Sequence, residues 1–298
     1  MDDIASVLII SDIVVSASLI ALILAVGLDA TADDLLYVLR RPKLFFVGML
    51  SVNVIMPVAA GLLIAFLPLT PVVKTGIVLM ALSAVPPILP AEELKAGATK
   101  AYAYGLYAAL ALVTVLVVPM WVAVAGWVYG VAASVPVEAV ASKVGWQVLL
   151  PLSTGLALRR LAPRLAAGAA PWVSRLSLAL LFVGEVPVFA TNWPMMMALV
   201  GDGTVLVMVV ISAIGLFSGH LLGGPDLGER GALALASATR HPGIATMIAS
   251  ANVVDEQVSA VILLFLVAAM LTAELYKRRL MRRMRLAPAP RGTPPGVI

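Results

Sequence analysis

Long apolar runs separated by short polar stretches fill most of the chain. A helix of about 20 apolar residues crosses the hydrocarbon core of a bilayer, so each run is typical of a membrane span. The pattern predicts an all-α polytopic membrane protein with nine transmembrane helices, over residues 6–28, 43–67, 72–100, 102–130, 144–162, 172–194, 203–224, 229–252 and 256–277. We expect residues 1–286 to form one transmembrane domain, followed by a disordered cytoplasmic tail at 287–298 that is rich in Pro and Gly.

Two of these spans carry helix breakers near their centres. The third reads "VLMALSAVPPILPAEELKAGA", and the eighth contains Pro242-Gly243. A proline removes a backbone donor and clashes with the preceding turn, so each span should consist of two half-helices. The breaks occupy matching places when spans 1–4 are set against spans 6–9, which run in opposite directions. This predicts an inverted repeat with two crossed discontinuous helices, as in secondary transporters. A simple kink in each span is the alternative.

Composition and charge favour a cell-membrane protein with defined sidedness. The chain is 62 % hydrophobic and 12 % charged, with a mean hydropathy of +1.06. The net charge of +4 does not indicate a nucleic-acid partner, because a basic cluster follows the last apolar run as an orientation anchor. With an outside N-terminus and a cytoplasmic C-terminus, 17 of the 20 Lys and Arg residues face the cytoplasm, while Lys74 and Lys143 lie in outer loops and Arg240 lies within the membrane. A bacterial inner membrane is the expected location, and lipid the expected surrounding partner.

Charged residues flank both breaks. Arg240 and His241 precede Pro242, at a helix end that favours cations, whereas Glu92 and Glu93 follow Pro90 in a first turn that favours anions. A mid-membrane arginine costs about 2.5–3.5 kcal/mol and needs a partner. We therefore expect an ion pair from Arg240 to Glu92 or Glu93 where the breaks cross. The pair either holds the crossing together or leaves Arg240 to bind an anionic substrate.

Two further polar residues are candidates for the site. Asn53 in the second span is expected to hydrogen-bond across helices or to line the site. Glu185 in the sixth span is expected to carry a proton, face the substrate crevice or serve as a structural carboxyl. An enzyme is not expected, because the chain has two His, no Cys and no Gly-rich phosphate loop. No metal site or resident cofactor is expected.

Four segments together resemble the bile acid:sodium symporter family. They are "GLDATADDLLYVLRRPKLFFVGMLSVNVIMP" (27–57), "LLPLSTGLALRR" (149–160), "GHLLGG" (219–224) and "ATRHPGIA" (238–245). The resemblance implies a panel of spans 1, 5 and 6 beside a core of spans 2–4 and 7–9, with the crossed broken helices in the core. It also implies alternating access, in which core and panel move against each other.

The chain departs from the family where sodium is bound. Members that couple to sodium carry a Glu-x-x-x-Gln-Asn pattern in the second broken helix, and the matching positions here are Ala236, Arg240 and His241. In the second span, Val52 occupies the position where the family has Gln. In the fourth span, of the hydroxyl residues that the family pattern leads one to expect, Thr114 remains. A guanidinium repels sodium, which argues against sodium coupling. Arg240 would then act as a permanent cation, and transport would be independent of sodium or coupled to protons through a carboxylate or histidine.

The sequence therefore predicts a secondary transporter of a small organic anion. Relatives in the family carry pantoate, pyruvate and other carboxylates, so the resemblance does not select bile acids. A membrane receptor or scaffold that keeps the fold without transport is the alternative. The sequence leaves the substrate, the coupling ion, the direction of transport and the oligomeric state open.

Overall fold

The computed structural model describes residues 2–252, 255 and 257–286. Within them the chain is helical and contains no strand. The helices are α1 (Asp2–Asp29), α2 (Ala32–Leu36), α3 (Pro42–Leu50), α4 (Met56–Phe66), α5 (Pro71–Leu82), α6 (Leu89–Lys95), α7 (Lys100–Tyr129), α8 (Val137–Val144), α9 (Leu150–Leu161), α10 (Pro163–Ala198), α11 (Thr204–Leu222), α12 (Leu227–Ala238), α13 (Pro242–Ala251) and α14 (Gln257–Leu286). The π-helical turns π1 (Ser51–Ile55) and π2 (Gly145–Leu149) join α3 to α4 and α8 to α9.

Six helical segments of the described chain are long and apolar enough to cross a membrane. They are Ser6–Asp29, Pro42–Phe66, Lys100–Tyr129, Pro163–Ala198, Thr204–Leu222 and Gln257–Leu286. Three predicted spans remain, two of which are interrupted, while the third corresponds to α8, π2 and α9. The all-helical, multi-span class is therefore confirmed, and the count of nine stays a prediction. The predicted tail at 287–298 lies outside the described residues.

Both interruptions fall where the prolines predicted them. The first separates α5 from α6 at residues 83–88, and the second separates α12 from α13 at residues 239–241. In both cases the second half-helix carries proline in its first turn, where the missing donor costs nothing. The three prolines inside α10 behave differently, because the helix continues through Pro171, Pro187 and Pro194. Proline alone therefore does not determine where a membrane helix ends.

A different response to proline appears in the second and fifth spans. Pro57 and Pro151 each stand two residues after the last residue of a π-helical turn, and the helix continues on both sides. Proline at position 57 cannot donate to the carbonyl four residues earlier, at Asn53, or five residues earlier, at Val52. The π1 turn thus leaves two acceptors open in the interior of the protein.

Helix α1 packs against α9 and α10, whereas α11, α12 and α14 contact one another and α5 packs against α14. The contact between α1 and α9 is a close approach of two backbones. A Cβ on Gly155 would lie 2.5 Å from the Leu24 carbonyl oxygen, and one on Gly27 would lie 2.4 Å from that of Leu152. Small residues at such crossings let membrane helices pack tightly. The division into a moving panel and a core remains a prediction.

Substitution of Gly155 by valine should therefore separate α1 from α9. Overpacking of this kind costs about 1–3 kcal/mol, and we expect a lower melting midpoint of the purified protein in detergent. Gly168→Val is the matched control, because a Cβ at Gly168 meets nothing within 4 Å. Equal melting midpoints for the two variants would contradict the close approach.

Candidate functional site

The two interruptions are in direct contact. The backbone N–H of His241 donates to the carbonyl oxygen of Ala84 at 2.8 Å, which joins the second break to the first. His241 also caps α13, since its Nδ1 accepts from the Gly243 N–H at 3.1 Å. Its side chain is thus fixed beside the start of the half-helix, and it is almost completely buried.

Arg240 is the largest side chain in the fully buried part of the described protein, with 1 % of its surface exposed. Its guanidinium donates to three backbone carbonyls: Nη2 to Val52 at 2.6 Å and to Ser237 at 3.3 Å, and Nη1 to Ser83 at 3.2 Å. Nε has no partner among the described atoms. One cation therefore connects π1, the first break and the end of α12.

Each of these carbonyls lacks its usual helical donor because of a proline or a break. Val52 lies five residues before Pro57, and Ser83 lies four residues before Pro87 at the end of α5. Ser237 would receive the N–H of His241, but that group donates to Ala84 instead. Buried acceptors without donors are costly, and Arg240 supplies donors to all three. The Asn53 carbonyl, also freed by Pro57, accepts from Trp121 Nε1 at 2.6 Å.

The predicted ion pair between Arg240 and Glu92 or Glu93 is wrong. Glu92 accepts from Lys95 at 2.7 Å and also pairs with Lys277, so it joins α6 to α14. Arg240 forms no ion pair within the described ranges, and its partners are the carbonyls alone. Those carbonyls carry partial negative charge at helix ends and turns, which is sufficient to stabilise a cation.

Glu93 is fully buried, and neither of its carboxyl oxygens has a hydrogen-bond partner among the described atoms. It lies on α6, near the Tyr102 side chain of α7. The expected pairing with Arg240 fails for this residue as well. A buried carboxyl without a partner is an unusual feature in a folded protein.

Lys143 points into the region of the breaks. It lies on α8, and its Nζ donates to the carbonyl oxygen of Gly243 at 3.2 Å. The predicted topology puts it in the outer loop between the fourth and fifth spans, and this sidedness stays a prediction. The ammonium is close enough to act electrostatically on His241, and also on Asp12 of α1.

A small cavity lies between the breaks and the α7 and α8 helices. Its polar lining comes from Tyr107, Thr114, Lys143, Gln147 and His241. Its volume is about 20 Å³, which holds one water molecule and no organic anion. A molecule larger than water could enter here only if α7 or α8 separated from the half-helices.

Asn53 and Glu185 do not meet at this cavity. The Asn53 side chain donates to Met49 Sδ of its own helical segment at 3.3 Å, so the expected hydrogen bond to another helix is not formed by its amide. Glu185 is half-buried on α10, beside Gly184, which packs against Val14 and Val15 of α1. Of the six predicted site residues, Arg240 and His241 lie at the contact of the breaks, and only His241 lines the cavity.

Sequence reasoning missed Lys143 and Gln147. A usable signal was present, since Gln147 occupies the π-helical turn before Pro151, as Asn53 does before Pro57. Polar residues in such turns project from irregular backbone and often mark functional positions.

The profile of the sodium bile acid symporter family matches residues 17–199, more than half of the chain. The chain belongs to this family. The match covers the first break, the α8–α9 segment and Lys143, and it ends before the second break. A comparison with curated proteins finds no match. As a member of a transporter family built of apolar helices, the protein is a multi-pass membrane protein of the bile acid symporter kind.

Proposed function

We propose that this protein is a secondary transporter of a small organic anion, and that the anion binds where the two breaks meet α7 and α8. The observation that carries the proposal is the position of Lys143 beside His241 and Gly243, at the contact of two interrupted helices. Irregular backbone at membrane depth occurs where it is buried in protein or lines a water-filled cavity, and here it lines the cavity beside Lys143. Interrupted helices of this kind form the substrate sites of many transporters.

Lys143 is the proposed anchor for the anionic group. Its ammonium already donates to a backbone carbonyl, and a carboxylate would form a stronger, charge-assisted bond with the same donor. Tyr107, Thr114 and Gln147 supply neutral polar groups around it. Alternating access would open this small cavity on one side at a time.

The proposed transport does not depend on sodium. Sodium ions bind where several oxygens converge, and the oxygens of Val52, Ser83 and Ser237 converge here on the guanidinium of Arg240. A fixed cation at this position stabilises the crossing and repels a second cation. Coupling to protons through Glu93 is the remaining ionic mechanism, since that carboxyl is buried without a partner.

Counterflow in proteoliposomes tests both parts of the proposal. Vesicles loaded with unlabelled pyruvate or pantoate, or with another small carboxylate identified by a thermal-shift screen, should accumulate the labelled compound. We expect the same rate in sodium as in choline at equal ionic strength, because Arg240 occupies the carbonyl cluster. A strict sodium requirement would contradict the fixed-cation mechanism. Absence of counterflow for every carboxylate that binds would favour the receptor alternative.

A further inference from the structure

An apolar groove between α11 and α14 shares no lining residue with the candidate substrate cavity, and the proposed transport does not use it. Its volume is about 490 Å³, in the range of ligand pockets, which is roughly 300–1,000 Å³. Phe217, Leu271 and Leu275 line it and are exposed on the outer surface of the helices. In a membrane protein such a groove faces lipid chains.

The groove changes from apolar to basic along its length. Val209 and Ala213 lie at its apolar end, and Arg279 and Arg283 line the other end, where α14 leaves its apolar segment. The two arginines are four residues apart and therefore share one face of the helix. Arg230 of α12 also acts electrostatically on the His220 and Tyr276 side chains at this end.

The two arginines of the groove have no carboxylate partner within the part of the chain that the structure describes. Glu274, the acidic residue of α14, is already paired with Lys277 and Arg278. His220 and Tyr276 hydrogen-bond to each other at 2.7 Å between Nδ1 and Oη. The groove thus combines an open apolar channel with two unneutralised guanidinium groups at a single end.

We propose that this groove binds one anionic phospholipid, with an acyl chain between α11 and α14 and the phosphate on Arg279 and Arg283. Guanidinium groups bind phosphate with paired hydrogen bonds. Basic pockets between transmembrane helices on the cytoplasmic side are suited to anionic head groups. The occupant is identified by charge complementarity at one end and apolar lining along the rest.

Native mass spectrometry of the full-length protein tests this assignment. The protein is incubated in detergent with equal amounts of dioleoyl phosphatidylglycerol and dioleoyl phosphatidylcholine. The wild type should retain phosphatidylglycerol about 30-fold better, since each of the two arginines near the head group contributes about 1 kcal/mol and about 1.4 kcal/mol corresponds to a factor of ten. Arg279→Gln with Arg283→Gln should remove the preference. Arg282→Gln with Arg285→Gln is the control, because it removes the same charge from exposed positions of α14 outside the groove.

A second variant separates the groove from general attraction to a basic helix. Ala213→Trp fills the apolar end without changing a charge, and we expect it to lose phosphatidylglycerol as well. The proposal would be overturned if Ala213→Trp retained phosphatidylglycerol, or if the control pair lost the preference to the same extent as Arg279→Gln with Arg283→Gln. It would also be overturned if millimolar inorganic phosphate displaced the lipid. A wild type without preference for phosphatidylglycerol, or a dimer that forms in place of lipid binding, would do the same. All substituted positions are exposed, and a melting curve of each variant checks that it folds.

Discussion

Replacement of Arg240 by alanine should destabilise the protein more than any other single substitution of a charged residue. The change removes the desolvation cost of a buried cation, but it leaves the carbonyls of Val52, Ser83 and Ser237 without donors. At about 1–3 kcal/mol for each unsatisfied acceptor, the loss exceeds about 3 kcal/mol. Arg160→Ala is the control in thermal unfolding in detergent, because Arg160 is exposed. A melting midpoint of Arg240→Ala close to that of the control would contradict this role.

The same variant should acquire a response to sodium. Without the guanidinium, three carbonyl oxygens surround an empty position, and carbonyl clusters bind small cations. We expect sodium, compared with choline at equal ionic strength, to raise the melting midpoint of Arg240→Ala and to leave the wild type unchanged. The sodium-dependent rise in the melting midpoint of Arg240→Lys should be smaller than that of Arg240→Ala and larger than that of the wild type. The reason is that one ammonium cannot contact all the carbonyls that the planar guanidinium reaches. A wild type stabilised by sodium would show that a separate ion site exists.

Substitution of Lys143 by methionine should abolish transport while the fold remains intact. The variant loses the ammonium that donates to Gly243 and, in the proposed mechanism, to the substrate carboxylate. Loss of one partner of such a buried pair costs about 2–5 kcal/mol, or at least about 30-fold in substrate affinity. Counterflow and thermal-shift titration measure the effect, and Lys143→Arg should retain part of the activity because it keeps the charge.

Lys74→Met is the matched control for this experiment. Lys74 is the other lysine that the predicted topology places in the outer half, and it lies in the first turn of α5 and does not line the cavity. The control should transport at the wild-type rate. If Lys143→Met transports normally, the anion binds elsewhere; if both variants fail equally, a general effect of positive charge on the outer side explains the loss.

The sequence predicted those features that depend on residues close together in the chain. The apolar runs predicted most helix boundaries to within a few residues, because a membrane span is recognised from the length and hydropathy of the run alone. Pro87 and Pro242 identified both interruptions, because proline acts on its own turn. Two boundaries deviate by nine residues: α10 begins at Pro163 and not near residue 172, because Pro171 is accommodated inside it, and α14 continues past residue 277 to Leu286.

The partners of Arg240 illustrate a different limit. The matching positions of the two breaks suggested Glu92 or Glu93, because acidic side chains can be recognised in a sequence and a free backbone carbonyl cannot. Val52 lies 188 residues before Arg240, and its carbonyl became available only through Pro57 and the π-helical turn before it. The position of a proline relative to a carbonyl could be read from the sequence, but the approach of the two chain segments could not.

By itself, the sequence determined that this is a helical membrane protein with two interrupted spans and an arginine beside one interruption. Only the tertiary structure decided that the arginine binds carbonyls of three separate segments, that Glu92 pairs with Lys277 instead, and that Lys143 reaches the second break. The physical reason is that helix formation and helix breaking are set by local backbone chemistry. The partner of a buried charge depends on which distant backbone groups the packing leaves unsatisfied.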